Sequence, residues 1–228
     1  MTIERALVIG AGSGVGQATA TALRETGIQV LGSGSDRDAT DPAQVAALLD
    51  EAAPELVVVA AGAHPRMASI EEQSWESFSA VWNVDVRIAF EVGRAALTRP
   101  LPPGSTVVIV SSGAALQGSP RSGGYAGAKR TQMFIAQYLQ GAADARGLGI
   151  RFVALAPLQL LAGTEIGEAA AAAYGGENGE SVEAYMERRF PVPLDPTGVA
   201  AAIVSIAAGE EHREETVLGV TAAGLQAV

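Results

Sequence analysis

The stretch RALVIGAGSGVG, residues 5–16, decides the fold of this chain. Its apolar half, Arg5–Ile9, predicts a buried strand, and Ser13–Glu25 predicts a helix that ends at a Gly27 cap. The glycines between them allow positive φ in a tight turn and let backbone N–H groups approach a pyrophosphate. The helix N-terminus adds a partial positive charge at the same place, although a turn that binds no ligand is the alternative. The candidate phosphate-binding residues of this turn are Gly10, Gly12, Ser13, Gly14, Val15 and Gly16.

Short apolar runs alternate with longer amphipathic segments along the rest of the chain. The predicted strands are 28–31, 55–60, 106–110, 150–154 and 216–220, and the predicted helices are 42–52, 74–97, 125–146 and 197–208. Continuous apolar strands joined through helices indicate right-handed crossovers and a parallel sheet that is covered on both faces. We therefore predict an α/β, Rossmann-type, doubly wound sheet of about seven parallel strands in three layers. Because only residues 32–37 separate the second strand from Asp38, we expect one crossover to be a loop.

The composition narrows the classes of partner and compartment. The chain has 228 residues, a net charge of −10 and no cysteine. An acidic surface disfavours nucleic acids and anionic membranes, and a chain without cysteine has no disulfide or thiolate metal site. We read no signal peptide and no membrane-spanning run, so we expect a cytoplasmic protein without a metal site. The length predicts one α/β domain over 1–228. Two short helices, predicted at 163–173 and 179–190, are expected to form a substrate lid at about 158–195.

A serine, a tyrosine and a lysine follow the strand at 106–110. Tyr125 and Lys129 are four residues apart, which places them on one face of a helix. Proton transfer to a carbonyl oxygen needs a donor, and a nearby ammonium group lowers the pKa of a tyrosine by stabilising its phenolate. Ser112 stands where the strand ends, which is the edge at which open α/β sheets bind ligands. Ser111 is the alternative hydroxyl, and the spacing favours Ser112.

The spacing Gly10-x-x-x-Gly14-x-Gly16, together with Ser112 and Tyr125-x-x-x-Lys129, resembles the short-chain dehydrogenase/reductase family. The resemblance covers nearly the whole chain. It implies hydride transfer between a nicotinamide cofactor and a carbonyl or alcohol, with Tyr125 as general acid/base and Ser112 orienting the substrate oxygen. Lys129 is then expected to bind the nicotinamide ribose as well. Asn83 matches the family's fourth catalytic residue, which supports proton supply, and family members usually form homodimers or homotetramers.

The same resemblance suggests which other residues contact the cofactor. Asp38 matches a family aspartate that contacts the adenine, and no carboxylate stands at the end of the second strand, where NAD-specific proteins usually have one. We therefore expect NADP(H) in preference to NAD(H). The further candidate cofactor contacts are Ser33, Ser35, Arg37, Ala61, Gly62 and Pro157. The family's usual Asn-Asn-Ala-Gly segment reads Val-Ala-Ala-Gly at 59–62, so the asparagine contacts are lost.

Two other functions remain open at this point. The chain could bind NADP(H) as a sensor or scaffold without turnover, although Ser112, Tyr125 and Lys129 together argue against this. It could also be an isomerase of the same fold, although isomerases of this kind usually carry a larger C-terminal domain. A small-molecule substrate is the partner we expect.

Overall fold

One sheet of seven strands forms the centre of the computed structural model, which describes residues 3–209 and 212–228; the remaining residues of the predicted domain lie outside this description. The strands are β1 (Arg5–Ile9), β2 (Gln29–Ser33), β3 (Leu56–Val59), β4 (Thr106–Val110), β5 (Arg151–Pro157), β6 (Val217–Thr221) and β7 (Gly224–Ala227). Their order in the sheet is β2-β1-β3-β4-β5-β6-β7. Strands β1 to β6 are parallel, which confirms the predicted doubly wound α/β class.

Helices flank this sheet close to the predicted positions. They are α1 (Gly14–Glu25), α2 (Pro42–Ala52), α3 (Trp75–Val81), α4 (Arg87–Thr98), α5 (Ala114–Gln117), α6 (Tyr125–Ala145), α7 (Glu165–Gly176), α8 (Val182–Arg189) and α9 (Pro196–Ala208). Helix α2 begins where expected, because Asp41 accepts a hydrogen bond from Ala43 N and Pro42 occupies the first turn. Helix α9 uses the same device with Asp195 and Pro196.

Alternate residues of the central strands enter two separate cores. Val57 and Val59 of β3 belong to the core on one face of the sheet, whereas Leu56 and Val58 belong to the core on the other face. Both faces are therefore dry, which explains why the strand is apolar at every position rather than at every second one. Burying each such side chain contributes roughly 1.5–3 kcal/mol, so this layer fixes the position of every loop at its edge.

The connection after β2 differs from the prediction. Within residues 3–209 and 212–228, each crossover between neighbouring parallel strands contains a helix. After β2, residues 34–41 lead into α2, and that helix carries the chain over β1 to β3. The short segment that suggested a loop follows β2, which is the edge strand of the sheet. The chain turns in opposite directions from β1 to β2 and from β2 to β3, so a crevice opens at the carboxyl ends of β1 and β3.

The seventh strand also differs, because β7 pairs antiparallel with β6. Residues Thr221–Gly224 form the hairpin turn, and Gly224 has a φ of +114° that suits glycine. A four-residue edge strand with three exposed positions has little apolar alternation, so its sequence gives a weak signal.

The predicted long helix at 74–97 is interrupted by a single turn of π-helix at Trp82–Val86, between α3 and α4. A π-turn inserts one residue into a helix and rotates the side chains that follow it. Here the inserted turn lies beside α6, and Gln132 of α6 donates a hydrogen bond from Nε2 to the main-chain oxygen of Asp85 at 3.1 Å. The interruption therefore has a buried polar partner.

None of the helices in 3–209 or 212–228 is both long and apolar enough to cross a membrane. Within the same residues, no three histidine, aspartate or glutamate side chains come together as a metal site would require.

Candidate active site

The glycine-rich turn closes one side of the crevice at the carboxyl ends of β1 and β3. Gly10 N and Ala11 N both donate to Ser33 O, at 2.8 and 3.0 Å, which ties the turn to the end of β2. Gly10 has a φ of +91°, and a Cβ there would lie 2.5 Å from Ala61 N. A Cβ on Gly16 would lie 2.0 Å from Gly10 O. The structure therefore requires glycine at both positions for its own packing.

The N-terminus of α1 is left open toward the same crevice. The Ser13 side chain makes no capping hydrogen bond, and no acidic residue stands in the first turn of the helix. A Cβ on Gly12 would meet nothing within 4 Å, so this stretch of backbone faces open space. The Thr164 methyl group lies across from Gly14, 3.9 Å from where a Cβ on Gly14 would stand. Uncapped N–H groups, a positive helix end and bare backbone fit the pyrophosphate of a dinucleotide.

The two serines at the end of β2 differ in exposure: Ser35 is exposed, whereas Ser33 is buried, which corrects its predicted contact with a cofactor. Ser33 is 1% exposed, and its Oγ has no hydrogen-bond partner among the described residues. Ser35 is exposed, whereas the Asp36 carboxylate turns back to accept a hydrogen bond from Gly34 N at 3.0 Å. Arg37 is engaged elsewhere, because its Nη1 lies 2.6 Å from Glu51 Oε2 on α2.

Asp38 forms a tight local turn beside these hydroxyl groups. Its Oδ1 accepts hydrogen bonds from Thr40 Oγ1 at 2.7 Å and from Thr40 N at 2.8 Å. These bonds stabilise the carboxylate and lower the pKa of Asp38 below its ordinary value. Its main-chain N–H is held by Gln44 Oε1 at 2.8 Å, so Asp38 has a fixed position at the rim of the crevice.

Two serines end β4 and have different tasks. Ser111 is 4% exposed and donates from Oγ to the main-chain oxygen of Lys129 at 2.8 Å, which ties the strand to α6. Ser112 is half-buried, and its Oγ accepts from Ala114 N at 3.2 Å. Gly113 N donates to Pro157 O at 2.7 Å, which holds the ends of β4 and β5 together. Ser112 is thus the hydroxyl of the pair that faces outward at the carboxyl edge.

Tyr125 and Lys129 come together on the first turns of α6. Lys129 Nζ lies 5.5 Å from the centre of the Tyr125 ring, 2.9 Å from Asp85 Oδ2 and 3.2 Å from Val110 O, to which it donates. Burial lowers the pKa of Lys129, but the charges of Asp85 and Tyr125 raise it by more, so its pKa lies above the ordinary value. A charged ammonium group therefore stands beside the tyrosine.

Asp85 is a site residue that the sequence analysis did not identify. It is 1% exposed, and its Oδ1 accepts a hydrogen bond from Ala63 N at 2.8 Å. Gly62 packs against the same carboxylate so closely that a Cβ on Gly62 would lie 2.7 Å from Oδ2. The π-turn aims this side chain inward, where it joins the loop after β3 to Lys129.

Asn83, the residue matched to the family's fourth catalytic position, is exposed, and it is Asp85 that contacts Lys129 instead. The nearest polar contact of the Asn83 side chain is Ser79 Oγ, 3.5 Å from Nδ2. A signal for the inward position was present in the sequence. Val81, Asp85, Ile88 and Val92 share a helical spacing, and all four are buried, so a carboxylate stands in an otherwise apolar stripe.

The predicted lid, residues 158–195, contacts the site through its helix α7. Tyr174 shares a hydrogen bond of 2.8 Å with Ser119 Oγ in the loop that follows α5. Arg121 Nη1 lies 3.0 Å from Glu177 Oε1, and His64 Nδ1 lies 3.2 Å from Glu165 Oε2. Helices α7 and α8 enclose a groove of about 600 Å³ with apolar and acidic walls. The segment that carries α7 is therefore attached to the loop before α6, at Ser119 and Arg121, and to the loop after β3, at His64.

Comparisons with known proteins agree with this architecture. Residues 35–212 match the family model described as enoyl-(acyl carrier protein) reductase. No curated protein sequence matches the chain at a significant level. The fold is similar to that of sorbitol-6-phosphate 2-dehydrogenase from Erwinia amylovora, with a TM-score of 0.80 and 21% identity over 95% of this chain and 98% of that one.

Two further solved structures show the same fold. Levodione reductase is 20% identical, with a TM-score of 0.78 over 97% of this chain and 98% of that one. A short chain dehydrogenase from Mycobacterium avium is 22% identical, with a TM-score of 0.72 over 98% and 83%. At these identities the structures establish the fold, while the family model covers more than half of the chain.

Proposed function

Because this chain belongs to the short-chain dehydrogenase/reductase family, we propose that it transfers a hydride between a nicotinamide cofactor and a carbonyl or alcohol. One observation carries the proposal. Tyr125 stands at the carboxyl edge of the sheet with the Lys129 ammonium 5.5 Å from its ring, beside an open helix N-terminus that fits a pyrophosphate. An acid/base and a cofactor cradle therefore share one crevice.

The roles of the residues follow from their chemistry. A nicotinamide bound here would supply or accept the hydride, and the protein supplies position and electrostatics. The backbone at Gly12 and Gly14 binds the pyrophosphate, and Ser112 orients the substrate oxygen. Tyr125 donates a proton to that oxygen during reduction and takes it back during oxidation. The Lys129 ammonium stabilises the phenolate that remains.

NADP(H) is the cofactor that we propose in preference to NAD(H). Asp36 Oδ1 accepts a hydrogen bond from Gly34 N, which turns this carboxylate back onto its own loop and away from the position that would bind a ribose hydroxyl pair. The exposed Ser35 offers a hydroxyl group there instead. Arg37 lies nearby, but its guanidinium is paired with Glu51. It must leave Glu51 to bind a 2′-phosphate, so the ion pair with Glu51 weakens the preference for NADP(H) over NAD(H).

We propose that the chain acts as one domain in which residues 158–195 close over a small-molecule substrate. The contacts of α7 with the loops at Ser119 and His64 support this role, because they span the mouth of the crevice. Enclosure excludes water and positions the substrate against the reactive groups.

A homo-oligomer is the assembly that we propose. Helices α4 and α6 expose aromatic side chains next to each other, with Phe90 at 51%, Phe134 at 39% and Tyr138 at 71% exposure. Trp82 and Ile135 continue this surface around a shallow groove. An exposed aromatic surface of this kind is typical of a subunit interface, and a second copy of the chain is the occupant we propose.

The proposal is tested by titrating the protein with NADPH and NADH and then offering a panel of carbonyls, alcohols and enoyl thioesters with full cofactor accounting. We expect nucleotide binding, with one cofactor consumed for each substrate reduced. Binding without turnover would favour the sensor or scaffold, and turnover without net cofactor consumption would favour the isomerase. Absence of binding for both nucleotides would contradict the proposal.

A further inference from the structure

Lys129 is the only lysine of a chain that contains fourteen arginines. Its side chain is 9% exposed, so its ammonium group has lost most of its water. Burial of this kind favours the neutral amine, because a charged group is costly outside water. The one neutral acceptor in contact with Nζ, among the described residues, is the main-chain oxygen of Val110 at 3.2 Å. A dipole alone is a weak counterpart for a buried charge.

Asp85 is the carboxylate that faces this ammonium group. Its two oxygens have separate partners: Oδ1 accepts from Ala63 N at 2.8 Å, and Oδ2 lies 2.9 Å from Lys129 Nζ. Oδ2 accepts no directed hydrogen bond within the described part of the chain, so its contact with Nζ is an ion pair. Gly62 packs against the Asp85 carboxylate, and the side chain of Asp85 is 1% exposed, so the carboxylate is almost fully removed from solvent.

We propose that Asp85 is a positioning residue that keeps Lys129 as an ammonium ion and fixes it against the loop that follows β3. The pair joins the π-turn, the 60–63 loop and α6 at one point. Asp85 and Tyr125 are the charged or titratable groups that act on Lys129 among the described residues. The neighbouring hydrogen bonds are neutral: Ser111 Oγ donates to the main-chain oxygen of Lys129, and Gln132 Nε2 donates to that of Asp85.

The kinetic consequence rests on the proposed function, while the structural claim does not. In Asp85→Asn the amide still accepts from Ala63 N, but the charge opposite Lys129 is gone. The buried amine is then expected to lose its proton at lower pH. Tyr125 would lose the charge that stabilises its phenolate, so kcat at neutral pH should fall about tenfold or more. The pH range of turnover should also become narrower.

The test reads the lysine directly. Labelling the protein with ¹³C-lysine gives one side-chain resonance, because Lys129 has no other lysine to overlap with it. The ¹³Cε shift is followed from about pH 6 to pH 11, a range that brackets the ordinary lysine pKa of about 10.4. We expect wild-type Lys129 to stay charged through the ordinary range and Asp85→Asn to titrate at distinctly lower pH.

The matched control is Glu55→Gln, at the opposite edge of the sheet. Glu55 is also a buried carboxylate, 7% exposed, which pairs with Arg5 and accepts from Arg5 N at 2.7 Å. This variant should lose stability without moving the Lys129 titration. Equal Lys129 titrations in wild type and Asp85→Asn would overturn the proposal. So would a wild-type Lys129 that titrates below the ordinary value, a result that needs no variant. If neither nucleotide bound, the proposed function would fail and this measurement would still decide the role of Asp85.

Discussion

The π-turn carries two polar residues, Asn83 and Asp85, whose side chains point to opposite sides of the helix. Asn83 is exposed beside Ser79, whereas Asp85 is buried against Lys129. A shift of two positions along this helix moves a side chain from the surface to the candidate active site. A sequence spacing that fits both residues therefore cannot tell which of them contacts Lys129. The side-chain environment decides between them.

We predict that Asn83→Ala changes kcat/KM by no more than about twofold, as is usual for an exposed residue without a buried partner. Steady-state kinetics at several pH values check this expectation. Asp85→Asn is the comparison, since it removes the buried carboxylate two residues away. A large loss of activity in Asn83→Ala would restore the role that the family resemblance suggested for Asn83.

A substitution at Gly12 distinguishes an effect on folding from an effect on cofactor binding. Because a Cβ at this position meets nothing within 4 Å, Gly12→Ala should fold normally, with a free energy of unfolding within about 0.5 kcal/mol of wild type. The same Cβ would stand where backbone must approach the pyrophosphate. We therefore expect the NADPH Kd to rise about tenfold or more, equal to roughly 1.4 kcal/mol of binding.

Urea unfolding and fluorescence titration measure these two quantities separately. Gly141→Ala on α6 is the matched control, because its Cβ also meets nothing within 4 Å and lies far along the helix from the crevice. An unchanged NADPH Kd in Gly12→Ala would place the pyrophosphate away from this turn.

At the scale of elements, the sequence predicted the parallel strands and the long helices well, because each has a clear apolar pattern and definite end signals. Asp41 and Pro42 mark the start of α2 within one residue. Two features escaped. The π-turn leaves the helical pattern almost intact, and β7 is too short and too exposed to show alternation. The prediction of a loop crossover after β2 was wrong for another reason. A short segment after a strand is expected both when a crossover helix is absent and when the strand is the edge of the sheet, and here β2 is the edge strand.

The lid gives the element-scale prediction. Tyr174→Phe removes the hydroxyl that bonds Ser119 Oγ at 2.8 Å, so the lid should close less firmly and KM should rise about two- to tenfold, the range for one hydrogen bond. We expect kcat to stay near the wild-type value. Tyr185→Phe is the control, because Tyr185 stacks on Tyr174 inside the lid at 6.5 Å. Equal KM values for Tyr174→Phe and wild type would separate the lid from substrate binding.

At the scale of the whole molecule, the helix layer that contains α4 and α6 has exposed aromatic side chains on its outer side. On this outer side, the rings of Phe134 and Tyr138 stack with their centres 6.2 Å apart and remain exposed. Composition and periodicity identify such helices as amphipathic, but they do not show which apolar residues stay outside the subunit's own core. Only the packed structure separates these residues from the core.

We predict that Phe134→Glu converts the protein to monomers, because a carboxylate would then be desolvated in an apolar interface between copies. Pairing with Arg130, whose guanidinium lies 5.0 Å from the Phe134 ring, offsets only part of that cost. Light scattering during size-exclusion chromatography measures the mass. Ile70→Glu is the matched control, since Ile70 is 65% exposed but lies outside α4 and α6. A wild-type protein that is already monomeric would remove the oligomer from the account.

The most direct test of the central claim compares wild type with Tyr125→Phe at saturating NADPH against the best carbonyl substrate of the panel. The variant keeps the ring beside Lys129 and loses only the hydroxyl. We predict an NADPH Kd within about twofold of wild type and a kcat at least about a hundredfold lower, as expected for loss of a general acid. Turnover by Tyr125→Phe close to the wild-type rate would contradict the account, because the proton would then come from another group.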